Sequence, residues 1–261
     1  MQDTREPAVA GLFYPAERDE LQAQVQSLLR KTISQGPPPK ALIVPHAGYV
    51  YSGPIAATAY ARLGPIRAQI RRVVLLGPAH RVAFRGLAAS SANEFRTPLG
   101  SIPLDAATRT RLLGLPQVRL RDDAHALEHS LEVQLPFLQE LLGHFSLLPL
   151  VVGDATYTEV AEVLEAVWGG PETLILISSD LSHYHDYATA QRLDRFTSEA
   201  IEALQPERLD YEHACGRTPV GGLLLAARAR GLQAETLDLR NSGDTAGPRD
   251  RVVGYGAYAI H

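Results

Sequence analysis

The chain has 261 residues, 45% hydrophobic and 21% charged, with a formal net charge of −4. That size fits one α/β domain spanning residues 1–261 with a sizeable core, and nothing in the chain has the composition of a linker. Charges of both signs are interspersed, with basic clusters no longer than pairs such as Arg71–Arg72, and no run approaches the roughly 20 apolar residues of a membrane helix. Nucleic acid and membrane are therefore excluded as expected partners. Residues 1–30 hold no signal-peptide core, and the single cysteine, Cys215, rules out an intrachain disulfide, so an unexported protein in a reducing cytoplasm is expected.

Along the chain, short β-branched apolar runs alternate with stretches of helical period, as in a sheet wrapped by helices on both faces. The periodicity predicts helices over 17–31, 53–63, 105–114, 130–142, 156–168, 188–205 and 219–230. Strands are expected at 40–45, 71–77, 87–91, 146–152, 173–178, 235–240 and 251–260. Within 130–142, Leu131, Leu135, Leu138 and Leu142 share one face, while Pro136 predicts a kink or a late start to the regular helix.

Polar residues follow three of these strands. The run 40–45 leads into Pro45-His46, 71–77 into Pro78-Ala79-His80, and 173–178 into Ser179-Asp180-Leu181-Ser182-His183. One such histidine reads as a hydrogen-bonded loop residue, but three strand ends can converge on one crevice, where open α/β sheets bind ligands. Gly48 and Gly53 allow sharp turns or close approach beside it, and Tyr49 and Tyr51 either line the pocket or serve as core or rim aromatics.

The motifs EPAVAGLFYP, PHAGYVYSGPIAA, LLGPAH, EHSLEVQLPFLQ, SSDLSHY, CGRTP and VVGYGAYAIH occur in order over nearly the whole chain. Together they resemble the Memo family, whose microbial members are called AmmeMemoRadiSam system protein B. That family is similar in fold to class III, LigB-type extradiol dioxygenases, which implies an α/β/α sandwich around a mixed central sheet. The resemblance implies that His46, His80 and Cys215 contact one transition metal ion, that Asp180 and His183 lie beside it as proton-handling groups, and that His129 and Glu132 line the pocket or support it from behind. It also implies AMMECR-type and radical SAM proteins as partners, and some family members are regarded as binders of phosphorylated peptides.

A thiolate in place of the dioxygenase carboxylate softens the donor set, so iron, copper and zinc all suit it and catechol oxygenation does not follow automatically. A blue-copper site is disfavoured because the only methionine is Met1. The expected function is a metal-dependent oxidoreductase acting on a small molecule, with non-catalytic metal handling or a binding module as the rival. A further alternative is a zinc peptidase, since His125-Ala126-Leu127-Glu128-His129 has H-x-x-E-H spacing; its third ligand would be a distant residue such as Glu199 or Glu207. The turn-rich loop 241–247, with Asp244 its one charged residue, could edge the pocket, and His261 reads as a surface residue.

Overall fold

The computed structural model describes residues 3–32 and 35–261. In chain order the elements are β1 (Thr4–Arg5), α1 (Arg18–Arg30), β2 (Ala41–Val44), α2 (Tyr49–Ala61), β3 (Arg72–Pro78), β4 (Leu87–Ala89), β5 (Glu94–Thr97) and β6 (Gly100–Pro103). They continue with α3 (Ala106–Leu112), β7 (Val118–Leu120), α4 (Asp122–Ala126), α5 (Leu135–Leu142), β8 (Ser146–Val152) and α6 (Tyr157–Val167). The last are β9 (Thr173–Ser178), β10 (His183–His185), α7 (Tyr187–Glu202), α8 (Arg217–Ala229), β11 (Ala234–Asn241) and β12 (Val252–Ile260).

Among the described residues, nine strands form one mixed sheet in the order β10-β12-β2-β9-β3-β8-β4-β7, with β11 added alongside β12. Its centre, β2-β9-β3-β8, is parallel, and β12 and β4 join it antiparallel on either side. The central strands read as unbroken apolar runs because helices cover both faces. Alternate residues feed two cores: Leu42, Val44, Val73, Leu75, Leu174 and Leu176 pack with α1, α2 and α5. Ile43, Val74, Leu76, Ile175 and Ile177 face the opposite way, toward α6, α7 and α8. The result is a three-layer α/β/α sandwich, with a small separate sheet of β1, β5 and β6.

The expected strands and helices recur with shifted ends, and three differences have clear physical causes. The helix α2 begins at Tyr49 rather than residue 53, with Gly48 as its cap, so Gly53 and Pro54 fall inside it. Pro136 does delay the regular helix: residues Glu132–Gln134 form a 3-10 turn and α5 starts at Leu135, where a proline costs no helical hydrogen bond. The short strands β1, β5, β6, β7 and β10 lack a detectable alternation at two to four residues each, and none was expected.

Register places the site. Val44 of β2 pairs with Ser178 of β9, and Leu76 of β3 pairs with Ile177, so the carboxyl ends of three neighbouring parallel strands finish level. The loops carrying His46, Asp180 and His80 therefore emerge side by side. No helix among the described residues is long and apolar enough to cross a membrane.

Candidate metal centre

One donor atom each from His46, His80 and Cys215 lies within 4.8 Å of the others. His46 is buried, its Nε2 standing 3.4 Å from Cys215 Sγ, and its ring meets that of His80 edge-on with centroids 5.2 Å apart. Cys215 arrives from the segment just before α8. Gly216 behind it is a close-approach position: its amide donates to Ser179 Oγ at 3.0 Å, and a β-carbon there would sit 2.6 Å from the Ser179 side chain. The Cys-Gly pair is thus what lets the thiol reach the strand ends.

The cleft over these donors has a volume of about 750 Å³, and Phe13, Tyr51, Tyr184, Tyr211 and Tyr255 give it an aromatic wall. Asp180, His183 and His129 also face it. Asp180 is buried and accepts the His46 backbone N–H at 2.7 Å, with its other oxygen 4.0 Å from His46 Nε2. Burial pushes its carboxyl up to about 7, against the pull of that backbone donor and of His80. Burial likewise lowers His46 well below the usual imidazole range, helped by the neighbouring histidines, so its ring is neutral at pH 7. His183 is lowered by burial too, and His129, stacked on His80, falls to about 4 for the same cause. Burial and the Asp180 carboxylate push the Cys215 thiol up, so a thiolate here calls for a cation beside it.

Two residues whose place was open between the cleft and its surroundings do not line the cleft. Tyr49 does not line the cleft; it is buried beneath it, donating its hydroxyl to the Val133 carbonyl at 2.7 Å and packing on Phe137, because the earlier start of α2 turns it inward. Glu132 also faces away from the cleft. It pairs with Arg5, accepts from the Ala8 and Val9 amides and from the Tyr14 hydroxyl, and so fastens the N-terminal arm. Tyr51 does reach the pocket. In the loop 241–247, Ser242 and Gly247 edge the cleft, while Asp244 caps its own turn and accepts from Tyr187. His261 is only half-buried at the end of the chain.

The peptidase spacing does not assemble. The helix α4 ends at Ala126, so His125 and His129 do not share a helical face. His125 is buried against Phe95, and its Nε2 donates to the Ala88 carbonyl at 2.9 Å. Glu128 turns instead to His80: Oε1 lies 2.9 Å from His80 Nδ1, and Oε2 accepts the His80 backbone N–H at 2.6 Å. Burial alone would raise the Glu128 carboxyl, but His80 and the backbone donors outweigh it and hold it down at about 2.

A family model described as Memo-like protein matches residues 5–259. The chain belongs to the Memo family. A MEMO1 family protein of Aquifex aeolicus is 38% identical, covering 96% of this chain and 97% of that one. One from Aeropyrum pernix is 37% identical over 98% and 99% of the two chains. Among solved structures, an uncharacterized Escherichia coli K12 protein, JW3007, superposes with a TM-score of 0.54 over 84% of this chain and 98% of that one. At 16% identity it shows the shared fold alone.

Sequence reasoning missed Glu128 as a partner of His80, together with Ser130, Ser178 and Gln134. The available signal was the alternation of polar Glu128, Ser130, Glu132 and Gln134 with apolar Leu131, Val133 and Leu135, and the structure buries all four polar residues.

Proposed function

We propose that this Memo-family protein binds one transition metal ion through His46, His80 and Cys215 and uses it to oxidise a small molecule held in the aromatic cleft, with dioxygen as the oxidant that takes up the electrons. The observation that carries this reading is the convergence of two imidazoles and one thiol within 4.8 Å. The donor set fits an ion: His46 and His80 each have a ring nitrogen left over for it, and the thiol has no other source of positive charge from Lys or Arg among its hydrogen-bonding partners. Two nitrogens and a sulfur suit iron, copper or zinc, and three protein donors leave coordination positions open. When bound, such an ion supplies Lewis-acid polarisation and, if iron or copper, one-electron chemistry.

The protein's own contributions are separate. Asp180 and His183 face the same cleft and are suited to holding or moving a proton on the substrate. The tyrosine and phenylalanine walls favour an apolar or planar molecule in the cleft.

Metal content is the direct test, measured by mass spectrometry on untagged protein purified under reducing conditions without chelators. Stoichiometric metal in the wild type, lost in folded His46→Ala and Cys215→Ser variants, supports the reading. Failure of the wild type to take up Fe(II), Cu(I) or Zn(II) at saturation overturns it. Metal-dependent oxygen uptake with a panel of phenolic substrates then separates an oxidoreductase from a protein that only carries the ion.

A further inference from the structure

Each candidate imidazole ligand is gripped on its far side by a partner whose own hydrogen-bonding role is already decided. Ser178 Oγ lies 2.6 Å from the Ser130 carbonyl, which can only accept, so the serine's one proton goes there. Gln134 Nε2 lies 2.8 Å from the same hydroxyl and 3.0 Å from the Pro45 carbonyl, so it donates to both, while its Oε1 receives the Tyr60 hydroxyl at 2.7 Å. A hydroxyl with its proton committed can only accept. His46 Nδ1, 2.9 Å from Ser178 Oγ, must therefore carry hydrogen, and its Nε2 keeps the lone pair.

The same logic holds at His80 through a carboxylate. Glu128 Oε1 accepts the Ser130 backbone N–H at 2.9 Å and faces His80 Nδ1 at 2.9 Å, and no Lys or Arg side chain pairs with this buried carboxyl. An acceptor there requires Nδ1 to carry the hydrogen. Ser130 joins the two arms. Its N–H serves Glu128, its carbonyl serves Ser178, and its hydroxyl donates to Pro78 at the end of β3. Gly77 permits that contact, since a β-carbon would sit 2.9 Å from the Ser130 hydroxyl oxygen.

We infer that Glu128 and Ser178 are positioning residues that, joined through Ser130 and oriented by Gln134, lock His80 and His46 as Nδ1–H tautomers so that both present Nε2 to one ion. This rests on the metal reading above, and it assigns Glu128, Ser130 and Gln134 a common purpose that Glu132 does not share. The frame exists before any ion arrives. Partners of this kind typically change metal affinity by about 10- to 100-fold.

The decisive measurement needs no metal. Long-range proton–nitrogen correlation spectra of ion-free, histidine-labelled protein report which ring nitrogen bears hydrogen. The wild type should show Nδ1–H at both His46 and His80. Ser178→Ala should release the tautomer at His46 alone. Glu128→Gln should release it at His80 alone, because an amide cannot offer acceptors to the His80 amide, His80 Nδ1 and Ser130 amide together. Each folded variant should bind Co(II) or Zn(II), titrated alone against a chelating dye, about 10- to 100-fold more weakly than the wild type. Hydrogen on Nε2 of either wild-type histidine overturns the inference, as do unchanged spectra and affinities in both variants. Should Glu128→Gln not fold, the wild-type spectrum and Ser178→Ala still decide. Locked tautomers in a wild type that takes up no ion would sink the metal reading and leave the frame standing.

Discussion

Two buried polar clusters lie on opposite sides of the segment 128–134, and they differ in what is left over. Around Glu132, the Arg5 guanidinium reaches Glu132 and the carbonyls of His125 and Glu128, while the Ala8 and Val9 amides and the Tyr14 hydroxyl complete the carboxylate. Opposite charges meet there and the acceptors are taken. Around His46, His80 and Cys215, the far side of each imidazole is equally well partnered, but a ring nitrogen from each and a sulfur face one another across an open cleft. Burial explains a saturated cluster by stability alone; unspent donors converging on a cavity are better explained by a ligand. His125 belongs to neither: its Nε2 is committed to the Ala88 carbonyl, while its buried Nδ1 has no partner among the described residues and does not face the cleft.

Substitutions sharpen this contrast, beginning with the largest effect on stability. Arg5→Ala should cost about 3 to 5 kcal/mol in denaturant unfolding, because it strands the buried Glu132 carboxylate. A cost below about 1 kcal/mol would mean that the arm is not held by this pair. Asp194 gives the next effect, with the opposite sign. It is buried, accepts the Ser182 amide at 3.0 Å, and burial raises its carboxyl from 3.8 to about 6. A folded-state value above the unfolded one means that stability is fully present at low pH and declines as pH rises toward about 6. Asp194→Asn should therefore gain on the wild type by an amount on the order of 2 kcal/mol between about pH 4 and pH 7, read from unfolding curves at each pH. A constant difference across that range would refute the assignment.

Tyr60→Phe comes third, since it removes the donor to Gln134 Oε1 and should cost about 1 to 2 kcal/mol. Cys215→Ala should have the smallest effect, within about 1 kcal/mol for the metal-free protein, while abolishing stoichiometric metal retention. A large loss of metal-free stability there would move Cys215 into the structural class and erase the distinction between the clusters.

The central strands were legible in the sequence because runs such as Ala41–Val44 and Thr173–Ser178 are apolar on both faces and end in turn-forming polar residues. His46, His80, Asp180 and His183 stood out for the same reason, as each follows such a run. Cys215 did not; only the family motif pointed to it, because it precedes a helix rather than follows a strand. The role of Glu128 was hidden by a misleading spacing. Its H-x-x-E-H pattern presumes a helix that stops at Ala126, after which the chain turns the carboxylate toward His80, a contact between segments far apart in sequence. The choice for Tyr49 between pocket and core stayed open because the start of α2 was read four residues late, enough to change which way a side chain points.

The level finish of β2, β9 and β3 also bears on kinetics. His46, His80 and Cys215 come from distant parts of the chain and meet only when parallel strands and the segment before α8 have all docked, so closing two long loops, from His46 to His80 and from His80 to Cys215, must precede any shared contact. The ion proposed above would join them too late in assembly to help the chain to nucleate. It would act on the return journey, lengthening the lifetime of the native state by opposing the first separation of those segments.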